Sequence, residues 1–212
     1  RRSIRDSRII PTRLLAEAVA KLPDDRRPRV FLSGSALGWY GDRGDEVLTE
    51  DSPIGAGFLA DVCRDWEAAA APAADAGVRV AFLRTGIVLT PRGGALAKQL
   101  PAFRTGGGAV LSDGTAWFPW VTPGDWVGAV HHVLMTESIA GPVNVTAPNP
   151  VTNRDFTHTL ARVLRRPALL TVPRVALRVL FGAIADEALL TSLRAVPRKL
   201  EGSGFEFDHP NL

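Results

Sequence analysis

The chain has 212 residues, 46% hydrophobic and 22% charged, with a formal net charge of +3, enough material for a sizeable globular core. No run approaches the ~18 apolar residues that span a bilayer, and the arginines are scattered singly or in pairs, so no basic block points to nucleic acid. The single cysteine, Cys63, excludes an internal disulfide and fits a reducing compartment, the cytoplasm.

Arg1-Arg2-Ser3-Ile4-Arg5 already reads as mid-helix and no methionine opens the chain, so a segment of something longer is expected. Residues 3–21 have a helical pattern, with Ile9, Leu14, Leu15, Ala18 and Val19 on one stripe and Pro23 as its stop. Arg29 to Leu32 reads as a first buried strand. Residues 34–57, rich in Gly, Asp and Glu, read as a long loop, and loops of that length are commonly functional. Phe58 to Ala71 predicts a helix whose Phe58, Leu59, Val62, Cys63, Trp66, Ala69 and Ala70 share one face. Val78 to Leu83 is a second buried strand, completing a parallel strand–helix–strand unit.

After Arg84 the pattern changes. A short helix is expected near 95–100, short strands within the glycine-rich residues 105–120, and a helix over 125–134. Val143-Asn144-Val145 reads as a third core strand. Thr152 and Asp155 form a capping-box-like start to a helix through Phe156, Leu160, Val163 and Leu164. Pro173 suits the first turn of a helix over Val175 to Phe181. A third helix around 189–193 and a strand at 205–207 close the pattern.

The chemistry concentrates in Val30-Phe31-Leu32-Ser33-Gly34-Ser35-Ala36-Leu37-Gly38-Trp39-Tyr40-Gly41-Asp42, an apolar run ending in two hydroxyls before a glycine-punctuated loop. Ligands of open α/β sheets sit beyond the carboxyl ends of the strands. Ser33, Gly34 and Ser35, and after the second strand Leu83, Arg84, Thr85 and Gly86, are therefore expected at the mouth of a crevice. Arg84 suits a phosphate through its planar fork, or a salt bridge with Glu67 or Asp61. Tyr40, the only tyrosine, either overhangs the crevice as a proton donor or plugs the loop base with Trp39 and Trp66. Trp117, Phe118, Trp120, Asp125 and Trp126 suit a stacking substrate pocket or plain core. The four histidines have no metal-ligand spacing, and Gly106-Gly107-Gly108 lacks the Lys-Ser/Thr of a phosphate-binding loop.

Ser7-Arg8, Ser33 to Asp42, Thr49-Glu50-Asp51, Phe58-Leu59-Ala60, Cys63, Trp66-Glu67, Leu83 to Leu89 and Gly141-Pro142-Val143-Asn144 together resemble the sugar-nucleotide epimerase-like branch of the extended short-chain dehydrogenase/reductase superfamily. The tail, with Arg166-Pro167-Ala168, Pro173, Leu189-Leu190, Pro197-Arg198-Lys199-Leu200 and Gly204-Phe205-Glu206-Phe207, is similar to that family's own C-terminal module. The resemblance implies an α/β fold: the second half of a doubly wound NAD(P)-binding Rossmann-like domain over residues 1–150, its glycine-rich pyrophosphate loop absent, and a small, mostly helical lobe over 151–212. It implies NADP(H) as cofactor. Hydride chemistry in the superfamily uses a Ser or Thr at the strand end, and a Tyr and Lys four residues apart on the next helix. Ser35 matches the first position, with Ser33 its rival. The other two fall on Leu59 and Cys63, so both groups are missing; Cys63 stands at the cofactor-binding lysine position or serves as a small hydrophobe.

The implied function is epimerase- or reductase-like, on a nucleotide-linked or similar small polar substrate. Ser35 would orient the reacting oxygen, Tyr40 would donate the proton, and Tyr40, Trp120 and Asp125 would contact the substrate. From a different class, a dinucleotide-binding regulator or sensor without turnover fits the same residues. No metal, nucleic acid or membrane is expected as a partner. The flank of Arg29 to Leu32 is expected to be bare, or to pair with a second copy in a homodimer.

Overall fold

The computed structural model describes residues 1–182 and 190–212. Helix α1 (Arg2–Ala20) continues through Pro11. Its expected stripe is turned: Ile10, Leu14 and Leu15 are more than half exposed, while Ala16 is sealed inside and Val19 packs beside it. Strand β1 (Val30–Ala36) follows, running four residues beyond its expected end. A 3-10 turn over Leu37–Tyr40 leads into the loop, which contains a short strand, β2 (Val47–Leu48). The helix expected over 58–71 is broken into α2 (Phe58–Ala68) and α3 (Ala71–Asp75), with Pro72 in the first turn of the second piece. Strand β3 (Arg79–Thr85) then lies parallel to β1, in register from Val30–Arg79 to Ala36–Thr85.

Beyond β3 come β4 (Ile87–Val88), α4 (Gly94–Arg104), β5 (Ala109–Leu111), β6 (Trp117–Phe118), β7 (Trp120–Val121) and α5 (Pro123–Met135). Thr122 caps α5 through the Asp125 amide. Strand β8 (Gly141–Val145) adds to β3, giving a parallel sheet in the order β1-β3-β8. Period-two alternation sorts its side chains. Val80 and Phe82 pack with Phe31, Ala16, Ala70 and Ala73 on one face. Ala81, Leu83, Val143 and Val145 pack with Ala129 and Val133 of α5 on the other. This is an α/β, Rossmann-like half-domain with helices on both faces.

The tail consists of β9 (Val151–Thr152), α6 (Asn153–Leu164), β10 (Leu170–Val172), α7 (Arg174–Phe181), β11 (Arg194–Ala195) and α8 (Arg198–Gly202). The capping box is present: the Thr152 hydroxyl accepts from the Asp155 amide and the Asp155 carboxylate accepts from the Thr152 amide. The mostly helical lobe is laced onto the sheet domain, with β9 paired to β6, β10 to β5 and β11 to β2. Two expectations fail here. Of the helix expected over 189–193, residue 189 lies outside the described residues and 190–193 are irregular. Phe205 and Phe207 form no strand; their rings meet edge to face at 4.7 Å and pack on the sheet core beside Leu200. Side-chain burial, not a ladder, holds that segment. Strand β1 has only β3 as a strand neighbour, so the Arg29–Leu32 flank is unpaired among the described residues. No described helix is long and apolar enough to cross a membrane, and no described acid, His and Cys cluster could hold a metal.

Candidate functional site

A cavity of about 450 Å³ opens at the carboxyl ends of β1 and β3. Ala36, Leu37 and Gly38, with Thr85, Gly86 and Ile87, form its floor. Phe58 and Leu59 at the start of α2 make one wall; Ala95 and Gln99 of α4 and the residues from Ala116 to Pro119 make another. Asn153, Arg174, Thr191 and Leu193 reach in from the tail. Gly86 is required where the chain leaves β3, because a Cβ there would stand 2.8 Å from the Pro119 carbonyl oxygen. Gly55 is required where the long loop folds back, because a Cβ would collide with the Tyr40 carbonyl.

Directly beneath this floor lies a sealed polar network. Arg84 holds Glu67 with two bonds, Nε to Oε1 at 2.9 Å and Nη2 to Oε2 at 3.0 Å. Ser35 Oγ donates to the same Oε1 at 2.7 Å. Arg84 Nη1 donates to the Tyr40 hydroxyl at 3.1 Å, and that hydroxyl donates to Asn144 Oδ1 at 2.7 Å. Asn144 donates from Nδ2 to the Val196 carbonyl and from its backbone amide to Glu50 Oε1, which also accepts from the Lys199 amide. The guanidinium of Arg84 lies 3.9 Å from the Trp39 ring centroid. Ser35, Glu50, Glu67, Arg84, Tyr40 and Asn144 are all buried. Burial works against the Arg84 charge, but the bonds and field of Glu67 outweigh it and hold its pKa above the ordinary value. Burial pushes the Tyr40 phenol up despite the opposing pull of Arg84. Burial likewise pushes the Cys63 thiol up to about 11 while it donates to the Ala36 carbonyl, so Cys63 is a thiol, not a thiolate.

The structure therefore brings the expected residues together but places most of them below the cavity. Of the cofactor candidates, Thr85 and Gly86 line it; Ser33, Gly34, Ser35, Cys63, Leu83 and Arg84 do not. Ser35 is committed to Glu67, and the strand end that faces the cavity is Ala36. The extra length of β1 explains the displacement, since alternate residues face opposite sides. Leu83 belongs to the sheet core. For Arg84 the salt bridge with Glu67 is observed, not an exposed fork awaiting phosphate. Tyr40 is the loop plug, fully buried against Leu37 and Leu48, and its hydroxyl faces Asn144 instead of a substrate. Trp120 is 2% exposed and outside the lining. Asp125 is equally sealed: its carboxylate accepts from the Thr122 hydroxyl and from the Asp208 and His209 amides, pinning the tail. Glu50 and Asn144 carry half of the network yet were not singled out as site residues, because their contacts join positions 94 residues apart.

The parallel sheet, its two helical faces and the cavity at the strand ends define a Rossmann-like α/β protein. The domain of unknown function DUF1731 matches residues 172–212. The whole chain is 44% identical over 212 residues to an epimerase family protein (Mb2239) of Mycobacterium bovis, covering 100% of this chain and 69% of that protein. It is 33% identical over 207 residues to human epimerase family protein SDR39U1, covering 97% and 70%. A crystal structure of human SDR39U1 with NADPH superposes with a TM-score of 0.91 at 30% identity, covering 100% of this chain and 72% of that one. The nucleoside-diphosphate sugar epimerase of Corynebacterium glutamicum superposes at 0.79 with 42% identity; this chain covers 41% of its length. The chain belongs to the epimerase family that includes SDR39U1.

Proposed function

We propose that this protein binds NADP(H) and acts as an epimerase- or reductase-like enzyme on a small molecule held in the cavity. One observation carries the reading: the cavity stands at the carboxyl ends of parallel strands, where open α/β sheets bind dinucleotides. The human relative crystallised with NADPH supports it. The described residues fit the nicotinamide end, since the Ala36–Gly38 turn and the Thr85-Gly86 backbone offer a floor with small side chains. Bound there, the dinucleotide supplies or accepts a hydride. Thr85 Oγ1 is held in place, donating to the Leu83 carbonyl and accepting from Trp126 Nε1. Ser35 and Tyr40 shape the floor from below.

A second reading, binding without turnover as a redox regulator, is favoured by what the floor lacks. Leu59 lines it where the resemblance places the superfamily's tyrosine, Cys63 at the lysine position lies outside the lining, and Ser35 at the Ser/Thr position is bonded to Glu67. The proposal includes a cytoplasmic location and pairing of two copies along the open edge of β1. Titrating the protein with NADPH by nicotinamide fluorescence, then following cofactor oxidation against sugar nucleotides and carbonyl compounds, tests it. Saturable binding with oxidation establishes the enzyme; saturable binding without oxidation establishes the regulator; no binding sinks both.

A further inference from the structure

We infer that Asn153, the first residue of α6, is where the C-terminal lobe recognises the substrate: its side-chain N–H groups donate to an uncharged oxygen, carbonyl or hydroxyl, of the molecule in the cavity. This rests on the reading that a small molecule occupies that cavity beside NADP(H). Asn153 is nine-tenths buried and lines the cavity. A carboxamide carries its acceptor oxygen and its donor nitrogen on opposite prongs, and only the oxygen can accept from an amide. Asn153 Oδ1 accepts from the Leu111 backbone amide of β5 at 2.8 Å, which settles the orientation. Nδ2 is therefore turned away from β5, and its N–H groups have no partner among the described residues. A donor pair in so enclosed a place is met by water or by a ligand.

The backbone fixes this side chain independently of any ligand. The Asn153 amide donates to the Ala116 carbonyl at 2.8 Å, the Arg154 amide to the Gly114 carbonyl, and the Asp155 amide to the Thr152 hydroxyl. These first-turn amides are spent, so the carboxamide, not the helix end, makes the contact. The partial positive charge of the helix N-terminus strengthens an N–H donor placed there toward an oxygen. Trp117 gives the contact its surroundings. It pairs with Thr152 across the β6–β9 ladder, one residue before Asn153, and lines the same cavity. Its ring is pinned by the Nε1 bond to Asp45 at 2.8 Å, and Arg194 lies over it at 4.4 Å from the centroid. An oriented donor beside a fixed aromatic side chain suits a ring compound that carries an oxygen, with little ordering left to do on binding. An aryl ketone and a sugar ring share that chemistry.

Asn153→Asp tests the inference, because it keeps the oxygen that the Leu111 amide needs and replaces the donor by a second acceptor. A carboxylate in the first helical turn is also favourable, so the thermal midpoint should not fall. Parent and variant are titrated calorimetrically with acetophenone and, separately, with UDP-glucose, at about pH 8 where the new carboxylate is ionised. At least one compound is expected to bind the parent, and its affinity to drop about tenfold or more in the variant. Acetophenone as the affected compound identifies a carbonyl acceptor, and UDP-glucose a sugar hydroxyl. Binding of neither compound, or equal affinity in parent and variant, overturns the proposal; equal affinity is what a side chain serving only the Leu111 amide would give. Should the variant not fold, the parent labelled with 15N-asparagine decides. The chain has four asparagines, and the Asn153 carboxamide is identified by its through-space contact with the Leu111 amide. Its N–H signals should shift on saturation with the bound compound, and unmoved signals overturn the proposal. NADPH binding, followed by nicotinamide fluorescence, keeps the two readings apart. Its affinity should differ by less than about threefold between parent and variant, and a loss as large as that for the compound overturns the proposal. A parent that binds no NADPH sinks the cofactor reading and leaves the Asn153 result standing.

Discussion

The floor and the walls of the cavity are built on opposite principles. Beneath the floor, Ser35, Glu67, Arg84, Tyr40 and Asn144 satisfy one another in a closed chain of charge-assisted and neutral hydrogen bonds. Around the walls, apolar and aromatic side chains predominate and polar groups are few. Buried polar groups are mostly paired, and these five side chains spend their bonds on one another and not on the cavity. The residue types that look most chemical in this chain therefore serve its structure, while those that look like core face the cavity.

Removing one partner from the floor gives the largest expected effect. Glu67→Ala strands a buried guanidinium and should destabilise the protein by about 3–5 kcal/mol in urea unfolding. If the loss is under about 1 kcal/mol, the network is not the keystone described. Next comes an alkaline effect at the seam between floor and helix. The Cys63 thiol stays protonated in the folded chain up to about pH 11, against an ordinary value of 9.0. The unfolded chain releases its proton first, so stability is intact below pH 9 and declines as pH rises through about 11, by about 2–3 kcal/mol at most. Cys63→Ala should remove that part of the decline in a pH series of thermal midpoints.

Tyr40→Phe leaves Asn144 Oδ1 and one Arg84 N–H without partners and should cost about 1–2 kcal/mol. Its affinity for any cavity ligand should change less than about twofold; a larger loss would return Tyr40 to the binding surface. Thr152→Ala removes the α6 cap and should cost about 1 kcal/mol, leaving the cavity unaffected. Smallest is Leu59→Ala on the wall. That side chain is half-buried and lines the cavity, so about 1 kcal/mol or less is expected. A loss matching that of Glu67→Ala would erase the distinction between floor and wall.

Much of this arrangement is legible in local pattern. Apolar runs at 30–32, 78–83 and 143–145 mark the three sheet strands, and the Thr152–Asp155 pair marks a helix start. The pairing of Arg84 with Glu67 is one of three alternatives that the residues allow, beside a phosphate and Asp61. Three features are not legible. The length of β1 depends on its ladder with β3, which continues to Ala36–Thr85. The five-residue α8 is too short for periodicity to register. Phe205 and Phe207 alternate like a strand but find no ladder partner.

Sequence alone determined the parallel core, because short apolar runs at strand length follow from residue identity and short-range spacing. Tertiary structure alone decided which strand-end residue meets the cavity. Because β1 continues in the ladder to Ala36, Ser35 and Ala36 point to opposite faces of the sheet and the strand ends at Ala36. It also decided that Glu50 should clamp Asn144 and Lys199, a contact that exists only after distant segments are packed together.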